Sequence, residues 1–350
     1  MLATEPSAVA APNPVAPPAE AQVAWKHIVA PVEPFLRAVA DRLRAQISAF
    51  ERDIAVYAEY ALTNQGKQLR PALVALSGGA TGKVNDSHVL VAVIVEMVHL
   101  ATLVHDDVLD EARLRRGRPT LAANWGCEIS VLLGDCLFAH ALKLAASFPT
   151  TEICRAVSAA TNTVCSGEIL QTQCRRNFEL SRAEYFKLLQ MKTGELFALS
   201  CDLGAYLSGA GAVQRSALRQ YGLAVGTGYQ VYDDCLDLFG SEAAAGKSLG
   251  TDVAKGKLTL PLLLALERSS ASDRASLVAM VRDWEPRRFS TLLGIVREHG
   301  GLKDSRDAVH QYLRGAREKL ASLPDTQSRA GLIGLADYLA QQTDALGFAD

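Results

Sequence analysis

Two aspartate clusters carry the most distinctive chemistry in this chain. They share the pattern Asp-Asp-x-x-Asp, formed by Asp106, Asp107 and Asp110 in the first cluster and by Asp233, Asp234 and Asp237 in the second. On a helix, the first and last carboxylates of each cluster lie on one face a turn apart, with the middle one beside them. Like charges at this spacing repel one another unless a cation lies between them. Oxygen ligands of this kind suit Mg²⁺, which proteins usually share with substrate phosphates.

The surroundings of both clusters are apolar. The first cluster follows the stretch HLATLVH, and the second lies within GLAVGTGYQVYDDCLDLFG. A single cluster is also compatible with a solvated acidic helix face, or with a helix N-terminal turn rich in Asp. Burying an isolated carboxylate is costly in free energy, so carboxylates within apolar helices need a partner. Two such clusters therefore predict a metal site.

Basic residues accompany the predicted metal site. Lys67 and Arg70 lie at a helix start in the segment GKQLRP, Arg115 and Arg116 follow the first aspartate cluster, and His99 precedes that cluster. Guanidinium groups bind phosphates through paired hydrogen bonds. Taken singly, the arginine pair is compatible with a surface loop and His99 with a core histidine. Beside two aspartate clusters, these residues indicate a diphosphate held from both sides.

Length, charge and cysteine content limit the class of protein. The chain has 350 residues, 49% of them hydrophobic, which is enough for one large helical domain or two smaller ones. The formal net charge of −2 provides no bulk attraction for nucleic acid or for an anionic membrane surface. The seven cysteines include no Cys-x-x-Cys pair, so we interpret them as core residues without disulfides or zinc. Such cysteines are typical of a reducing compartment, and we predict a cytoplasmic protein.

Two segments need separate interpretation before the fold is considered. Residues 1–24 are rich in Ala and Pro and predict a disordered tail without the pattern of a secretory or mitochondrial signal, so that the folded domain covers residues 25–350. The longest apolar stretch, residues 89–104, contains Glu96 and His99. Charged and titratable groups are rare in bilayer spans, so this stretch predicts a buried helix of a soluble protein with no integral membrane segment.

Apolar residues at spacings of three and four predict an all-α fold. Glycine and proline fall between the periodic segments, and alternating strand-like runs are nearly absent. The predicted helical segments are 35–54, 69–76, 90–108, 129–146, 153–170, 185–207, 218–238 and 258–266, followed by shorter helices in the C-terminal third.

Several motifs together resemble those of the trans-isoprenyl diphosphate synthase (polyprenyl synthetase) family, from about residue 30 to the end. The segment EMVHLATLVHDDVLDEARLRRGRPT resembles the first aspartate-rich region of that family. GKQLRP, GEILQ, KTGELF, YQVYDDCLD and GKSLGTDVAKGKLTLP resemble further family blocks. Gln65 and Gln68 depart from the family pattern in the first of these blocks, which removes one possible cation. The resemblance implies one large helical bundle of the isoprenoid synthase type with a central cavity.

The resemblance also implies a reaction and a role for each site residue. Isopentenyl diphosphate would condense in trans with an allylic diphosphate, which about three Mg²⁺ ions would bridge to the two aspartate clusters. Arg115, Lys192 and Lys257 would hold the same allylic diphosphate. Thr193 and Gln230 would stabilise the allylic cation through their oxygen dipoles. Isopentenyl diphosphate would be bound by the four remaining basic residues: Lys67, Arg70, His99 and Arg116.

Product length depends on the helix before Asp106. Small residues at Ala101 and Thr102, roughly 6 to 7.5 Å deeper along the helix, would leave room for the growing chain to reach Val98 and Met97. In the resembled family, bulky residues here accompany short products, so the resemblance favours a long-chain polyprenyl diphosphate for a quinone side chain. Phe138 and Leu142 on a facing helix are candidates for the end of the tunnel. A geranylgeranyl or farnesyl diphosphate synthase is the alternative.

Two other classes of protein share some of these features. A terpene cyclase also combines an all-α fold with an Mg²⁺ site, but its second metal motif usually contains Asn, Ser and Glu instead of a second aspartate cluster. A non-catalytic partner subunit of a heteromeric synthase would be expected to have lost aspartates, and all six are present here. By analogy with the resembled family, we expect a homodimer.

Overall fold

The computed structural model describes residues 25–63, 66–241 and 249–347, so the predicted tail 1–24 and Gln65 lie outside the described residues. After a helical segment at residues 25–29 and a 3-10 turn, Ala30–Val32, the chain forms α1 Glu33–Ala45, α2 Arg52–Thr63, α3 Leu69–Thr81, α4 Asp86–Leu109, α5 Leu121–Trp125, α6 Cys127–Ala146, α7 Glu152–Gln173 and α8 Arg182–Leu189. They are followed by α9 Glu195–Leu207, α10 Ala212–Phe239, α11 Thr251–Ala254, α12 Leu260–Arg268, α13 Ala271–Arg282, α14 Phe289–Glu298, α15 Gly301–Lys319 and α16 Gln327–Asp344. Strands β1 Leu114–Arg115 and β2 Arg118–Pro119 lie between α4 and α5. The predicted all-α class is confirmed.

Local capping explains where two functionally important helices begin. Asn85 precedes α4 and accepts a hydrogen bond from the Ser87 backbone N–H, while its own backbone N–H donates to His88. Ser181 and Glu184 form the same reciprocal arrangement at the start of α8. Each capping box satisfies backbone donors that a helix start leaves unpaired, and so fixes the register of the helix that follows.

Helix α4 lies at the centre of the molecule. It packs against α6 on one side and against α3 and α9 on the other, while α10 packs against α9 and α15. By length and composition, α4 and α6 could each cross a membrane, but 67% of the most apolar window of α4 is buried inside the fold, against 39% for α6. The apolar character of α4 is therefore explained by its place in the core.

The structure differs from the helical prediction at three places. The predicted segment 35–54 is divided, because a 3-10 turn at Gln46–Ala49 separates α1 from α2. The segment 185–207 contains a π-helical turn, Gln190–Gly194, between α8 and α9. The pair Arg115-Arg116 lies in a minimal antiparallel hairpin in which Arg115 pairs with Arg118. Arg116 and Gly117 both have positive φ, as a two-residue hairpin turn requires.

Candidate active site

A cavity of about 660 Å³ lies in the bundle below the C-terminal end of α4, within the size range of small-molecule sites. Its wall brings together residues from distant parts of the sequence. Most of the predicted site residues line it: Lys67, Arg70, His99, Thr102, Asp106, Asp110, Arg115, Arg116, Lys192, Thr193, Gln230, Asp233 and Lys257. Within this wall, the guanidinium groups of Arg70 and Arg116 lie near His99 and near the buried Glu96 carboxylate.

Three of the six clustered aspartates line the cavity. Asp106 lies in the last turn of α4, Asp110 is the residue that ends this helix, and Asp233 comes from the last turns of α10. Carboxylates at a helix C-terminus meet the negative end of the helix dipole, so they need cations to be stable there. The two clusters therefore supply oxygen ligands from two different helices to the same cavity.

The other three clustered aspartates bind protein groups. The Asp107 carboxylate accepts a hydrogen bond from Nε of Arg115 at 2.7 Å. The carboxylate of Asp237 accepts hydrogen bonds from the Thr251 hydroxyl at 2.6 Å and the Asp252 backbone N–H at 3.0 Å, which fixes the start of α11. Both carboxylates thus bind neighbouring protein groups.

Asp234 is part of a buried chain of hydrogen bonds. Its Oδ2 accepts from the Tyr185 hydroxyl at 2.6 Å and its Oδ1 from the Gln230 amide at 2.9 Å. The Thr193 hydroxyl in turn donates to Oε1 of Gln230 at 2.7 Å. Burial and the nearby Asp252 carboxylate raise the pKa of Asp234 to about 8. The chain holds the Thr193 and Gln230 oxygen dipoles in fixed orientations at the cavity wall.

Three cations surround Asp110. Its carboxylate lies 3.1 Å from Nζ of Lys257, 3.2 Å from Nζ of Lys255 and 3.2 Å from the Arg175 guanidinium. Burial acts to raise the pKa of Asp110, but Lys257 and Lys255 outweigh burial and lower it. Asp110 is therefore ionised, and the three cations are within reach of any anion that binds beside it.

The π-helical turn places Lys192 and Thr193 in the cavity wall. Lys192 Nζ lies 2.5 Å from Glu168 and 3.8 Å from Asp106. Burial acts to lower the pKa of Lys192, but these carboxylates outweigh burial and raise it. A Cβ atom on Gly167 would lie 2.9 Å from the backbone nitrogen of Lys192, so a glycine in α7 permits this close approach. Lys192 is thus a fixed, protonated cation beside Asp106.

The donor set fits Mg²⁺ if substrate oxygens complete the coordination. Within the described residues, no group of three or more carboxylate, histidine or cysteine side chains is arranged to hold an ion alone. Mg²⁺ sites of phosphate-transfer enzymes commonly use one or two carboxylates, waters and the substrate phosphates. Asp106 and Asp110 on one helix and Asp233 on another are suited to such a shared site.

The opposite side of the cavity is basic. The Arg70 guanidinium lies over the Phe197 ring at 4.8 Å from its centroid, and Nε of Arg70 is buried without a hydrogen-bond partner in the described chain. Burial lowers the pKa of His99 well below its ordinary value, and the neighbouring guanidinium groups lower it further, so His99 is neutral. A buried guanidinium with an unpaired N–H is suited to an anionic ligand.

The predicted tunnel residues fall into two groups. Thr102 lines the cavity, whereas Ala101, Val98 and Met97 are fully buried in the core and do not line it. Phe138 packs against the side of α4, with its ring 5.7 Å from that of His105, and Leu142 packs against the same apolar core. On α4, the cavity wall nearest to Asp106 is therefore formed by Thr102 and Leu103, and His99 and Glu96 line it further along the helix.

Sequence reasoning did not single out several residues that line the cavity. They are Glu96, Glu168, Asp252, Lys255 and Tyr338. Glu168 and Asp252 lie inside motifs that the sequence makes visible, GEILQ and GKSLGTDVAKGK. Glu96 was visible as a charge in an apolar helix. Tyr338, on α16, has no sequence signal, because its relation to the site depends on the packing of the C-terminal helix.

Comparison with known proteins agrees with this geometry. A model of the polyprenyl synthetase family matches residues 51–291. The nonaprenyl diphosphate synthase of Mycobacterium tuberculosis is 38% identical over 78% of this chain and 82% of its own length. A short chain isoprenyl diphosphate synthase of Methanothermobacter thermautotrophicus is 29% identical over 86% of this chain and 94% of its own. The structure also resembles that of a Caulobacter crescentus polyprenyl synthase complexed with calcium and isoprenyl diphosphate, with a TM-score of 0.86, 33% identity, and coverage of 90% and 97%.

Proposed function

This chain belongs to the polyprenyl synthetase family, and from this premise we propose that it condenses isopentenyl diphosphate with an allylic diphosphate in trans to give a long-chain polyprenyl diphosphate. The observation that carries this proposal is one cavity with two chemically different sides. Asp106, Asp110 and Asp233 lie on the acidic side, and Arg70 and Arg116 on the basic side. Two diphosphates, one bound with metal and one without, fit such a cavity.

The acidic side would bind the allylic diphosphate. About three Mg²⁺ ions, when bound, would supply the positive charge that stabilises the leaving diphosphate. Asp106, Asp110 and Asp233 would be the direct ligands. Asp107 would orient Arg115, and Asp237 would hold the turn that carries Asp252. This division follows from which carboxylates line the cavity; Asp110 lines it and also accepts hydrogen bonds from Arg175 and Lys257.

Cations beside the acidic side would hold the same diphosphate. Lys192, Lys257 and Arg115 line the cavity, and Lys255 lies next to them. Lys192 lies 3.8 Å from Asp106, and Lys257, Lys255 and Arg175 lie 3.1 to 3.2 Å from Asp110. Fixed cations at a leaving group stabilise the charge that develops as the bond breaks, without reorganisation at the moment of reaction.

The basic side would bind isopentenyl diphosphate through Lys67, Arg70, His99 and Arg116. The Arg116 guanidinium lies so close to Gly66 that a Cβ atom on this glycine would be 2.5 Å from it. The hairpin therefore brings Arg116 next to Lys67. Three permanent cations and one neutral imidazole suit a diphosphate that binds without metal.

The reaction would proceed by ionisation, condensation and elimination. The allylic C–O bond breaks, and its electron pair leaves with the diphosphate. The double bond of isopentenyl diphosphate donates electrons to the allylic cation to form the new carbon–carbon bond, and loss of a proton to the departed diphosphate restores a double bond. The fixed oxygen dipoles of Thr193 and Gln230 would stabilise the cation.

A long product is supported by the wall below Asp106. Thr102 and Leu103 are the α4 residues of this wall nearest to Asp106, and both have small or aliphatic side chains. A chain that grows past them would enter the region around Val98, where the core is aliphatic and the packing must open. We propose a product of thirty-five carbons or more, used as a quinone side chain; a stop at fifteen or twenty carbons is the alternative.

A product-length assay tests the proposed function. Purified protein would be incubated with Mg²⁺, labelled isopentenyl diphosphate and farnesyl or geranylgeranyl diphosphate, and the dephosphorylated products separated by chain length. We expect a ladder that ends at thirty-five carbons or more and disappears when Mg²⁺ is chelated. A stop at twenty carbons would contradict the long-chain proposal alone, whereas cyclic hydrocarbons or no condensation would contradict the synthase proposal itself.

We also propose that the protein is a homodimer and that α6 and α7 form its interface. Four exposed apolar side chains lie on these adjacent helices: Val131 at 42% exposure, Leu132 at 61%, Ile169 at 61% and Leu170 at 37%. Between Arg155 and Glu168, α7 carries no charged residue. An uncharged face can pack against its own copy across a twofold axis without like-charge repulsion.

Replacing Leu132 with glutamate should convert the dimer to a monomer, because two copies of the new charge would be buried near each other. The mass in solution can be measured by size-exclusion chromatography with light scattering. Val56→Glu, at a residue with 50% exposure on α2, is the matched control and should remain dimeric. A wild-type monomer, or a dimeric Leu132→Glu variant, would contradict this interface.

We propose that the enzyme works in the cytoplasm, and the burial of the apolar face of α4 in the core supports this. Cell fractionation of the full-length chain can check it.

A further inference from the structure

The C-terminal helix reaches the basic side of the cavity through a single tyrosine. The Tyr338 hydroxyl accepts a hydrogen bond from Nζ of Lys67 at 3.1 Å, and the same ammonium lies 5.4 Å from the centroid of the Tyr338 ring. The two residues are 271 positions apart in the chain. Tyr338 and Lys67 both line the cavity that also contains Arg70 and Arg116.

Lys67 depends on Tyr338 for its orientation. The Lys67 side chain is exposed and its stem has many rotamers, so ordering it at an anion site costs conformational entropy. Tyr338 is only 8% exposed and is packed against Trp25, with ring centroids 5.9 Å apart. A rigid, buried aromatic ring that contacts the ammonium by a hydrogen bond and a cation–π interaction restricts Lys67 before any ligand binds.

The Lys67 ammonium keeps donors for a ligand. One of its three N–H groups donates to the phenol oxygen of Tyr338. Since phosphate oxygens accept several hydrogen bonds, the other two N–H groups can bind an anion in the cavity while Tyr338 holds the ammonium in place.

We propose that Tyr338 positions Lys67 for the diphosphate of the homoallylic substrate, so that α16 sets the affinity for isopentenyl diphosphate. This inference rests on the proposed function of the cavity. It predicts an effect on one substrate only, because Tyr338 contacts Lys67 on the basic side of the cavity and packs against Trp25.

The test is the Tyr338→Phe variant, which keeps the ring and removes the hydroxyl. We expect the KM for isopentenyl diphosphate to rise roughly tenfold, as for loss of a hydrogen bond to a charged group, while kcat and the KM for the allylic substrate stay within about twofold. Calorimetric titration with isopentenyl diphosphate in the presence of EDTA should show the same loss of affinity. Tyr206→Phe, a remote tyrosine whose hydroxyl lies 3.5 Å from that of Thr150, is the matched control and should leave both values unchanged.

A double-mutant cycle with Lys67→Ala separates positioning from packing. If Tyr338 acts through Lys67, its substitution should have little further effect in the Lys67→Ala background. An unchanged KM in Tyr338→Phe, together with a raised KM in Lys67→Ala, would overturn this inference and leave the proposed function intact. Absence of condensation by the wild type, or of metal-free binding of isopentenyl diphosphate, would instead overturn the assignment of the cavity.

Discussion

Substitution of Asp106 by asparagine is expected to lower kcat/KM roughly a thousandfold, since metal-assisted charge stabilisation contributes several kcal/mol and each 1.4 kcal/mol is about tenfold in rate. Asp106 lines the cavity and lies 3.8 Å from Lys192, so its charge acts both on the metal and on a cation that would hold the diphosphate. Asparagine keeps the size of the side chain but removes the charge. Steady-state kinetics at saturating Mg²⁺ would measure the loss.

Two further variants serve as controls for the Asp106→Asn result. Asp41→Asn, an exposed aspartate that pairs with Arg44 on α1, should leave the rate unchanged. Asp107→Asn should have a smaller effect than Asp106→Asn, because Asp107 acts through Arg115. A rate within tenfold of wild type for Asp106→Asn would be incompatible with a direct metal-binding role. Equal losses in the two variants would contradict the division of roles between the two carboxylates.

The second large effect concerns product length. Thr102→Phe would place an aromatic ring in the cavity wall one turn below Asp106, where the growing chain must pass. We expect the product ladder to end at fifteen to twenty carbons instead of thirty-five or more, with condensation itself preserved. Reversed-phase separation of dephosphorylated products would record the shift.

The choice of Thr102 over Ala101 follows from the structure. Ala101 is fully buried and does not line the cavity, so a phenylalanine there would also overpack the core at a cost of about 1–3 kcal/mol. Ala101→Phe should therefore lower the melting temperature. Thr102→Ser keeps a small side chain and should retain the long ladder. An unchanged ladder in Thr102→Phe would show that the chain follows a path that does not pass Thr102.

Much of the site could be predicted because many of its functional residues lie close together in short sequence motifs. These motifs are the two aspartate clusters, the pair Arg115-Arg116 and the segment GKQLRP. The spacing of residues within each motif can be read directly from the sequence. What each aspartate does could not be predicted in this way. Asp107 and Asp234 are the middle residues of the two clusters, but Asp107 receives a hydrogen bond from Arg115, and Asp234 receives hydrogen bonds from Tyr185 and Gln230. Only the packing of α8 against α10 brings Tyr185 there.

The same reasoning applies to the fold. The apolar period predicted α4 and α10 well, because long helices with continuous core contact repeat the pattern over many turns. The break between α1 and α2 was missed because apolar residues continue through Gln46–Ala49 without a glycine or proline. The contact between Lys67 and Tyr338 had no local signal, since it joins residues from opposite ends of the domain.

The π-helical turn at Gln190–Gly194 places Lys192 in the cavity wall, and it also changes the relative orientation of α8 and α9. Here the backbone N–H of Glu195 bonds to the carbonyl oxygen of Gln190, five residues earlier, so the turn holds one residue more than an α-helical turn would. One extra residue rotates everything upstream by about 100° relative to everything downstream. As a result, the faces of α8 and α9 are set independently: α8 directs Tyr185 toward Asp234 while α9 directs its apolar face into the core. If this extra residue were treated as an insertion and the two helices as one continuous α-helix, every residue of α8 would be assigned to the wrong helix face.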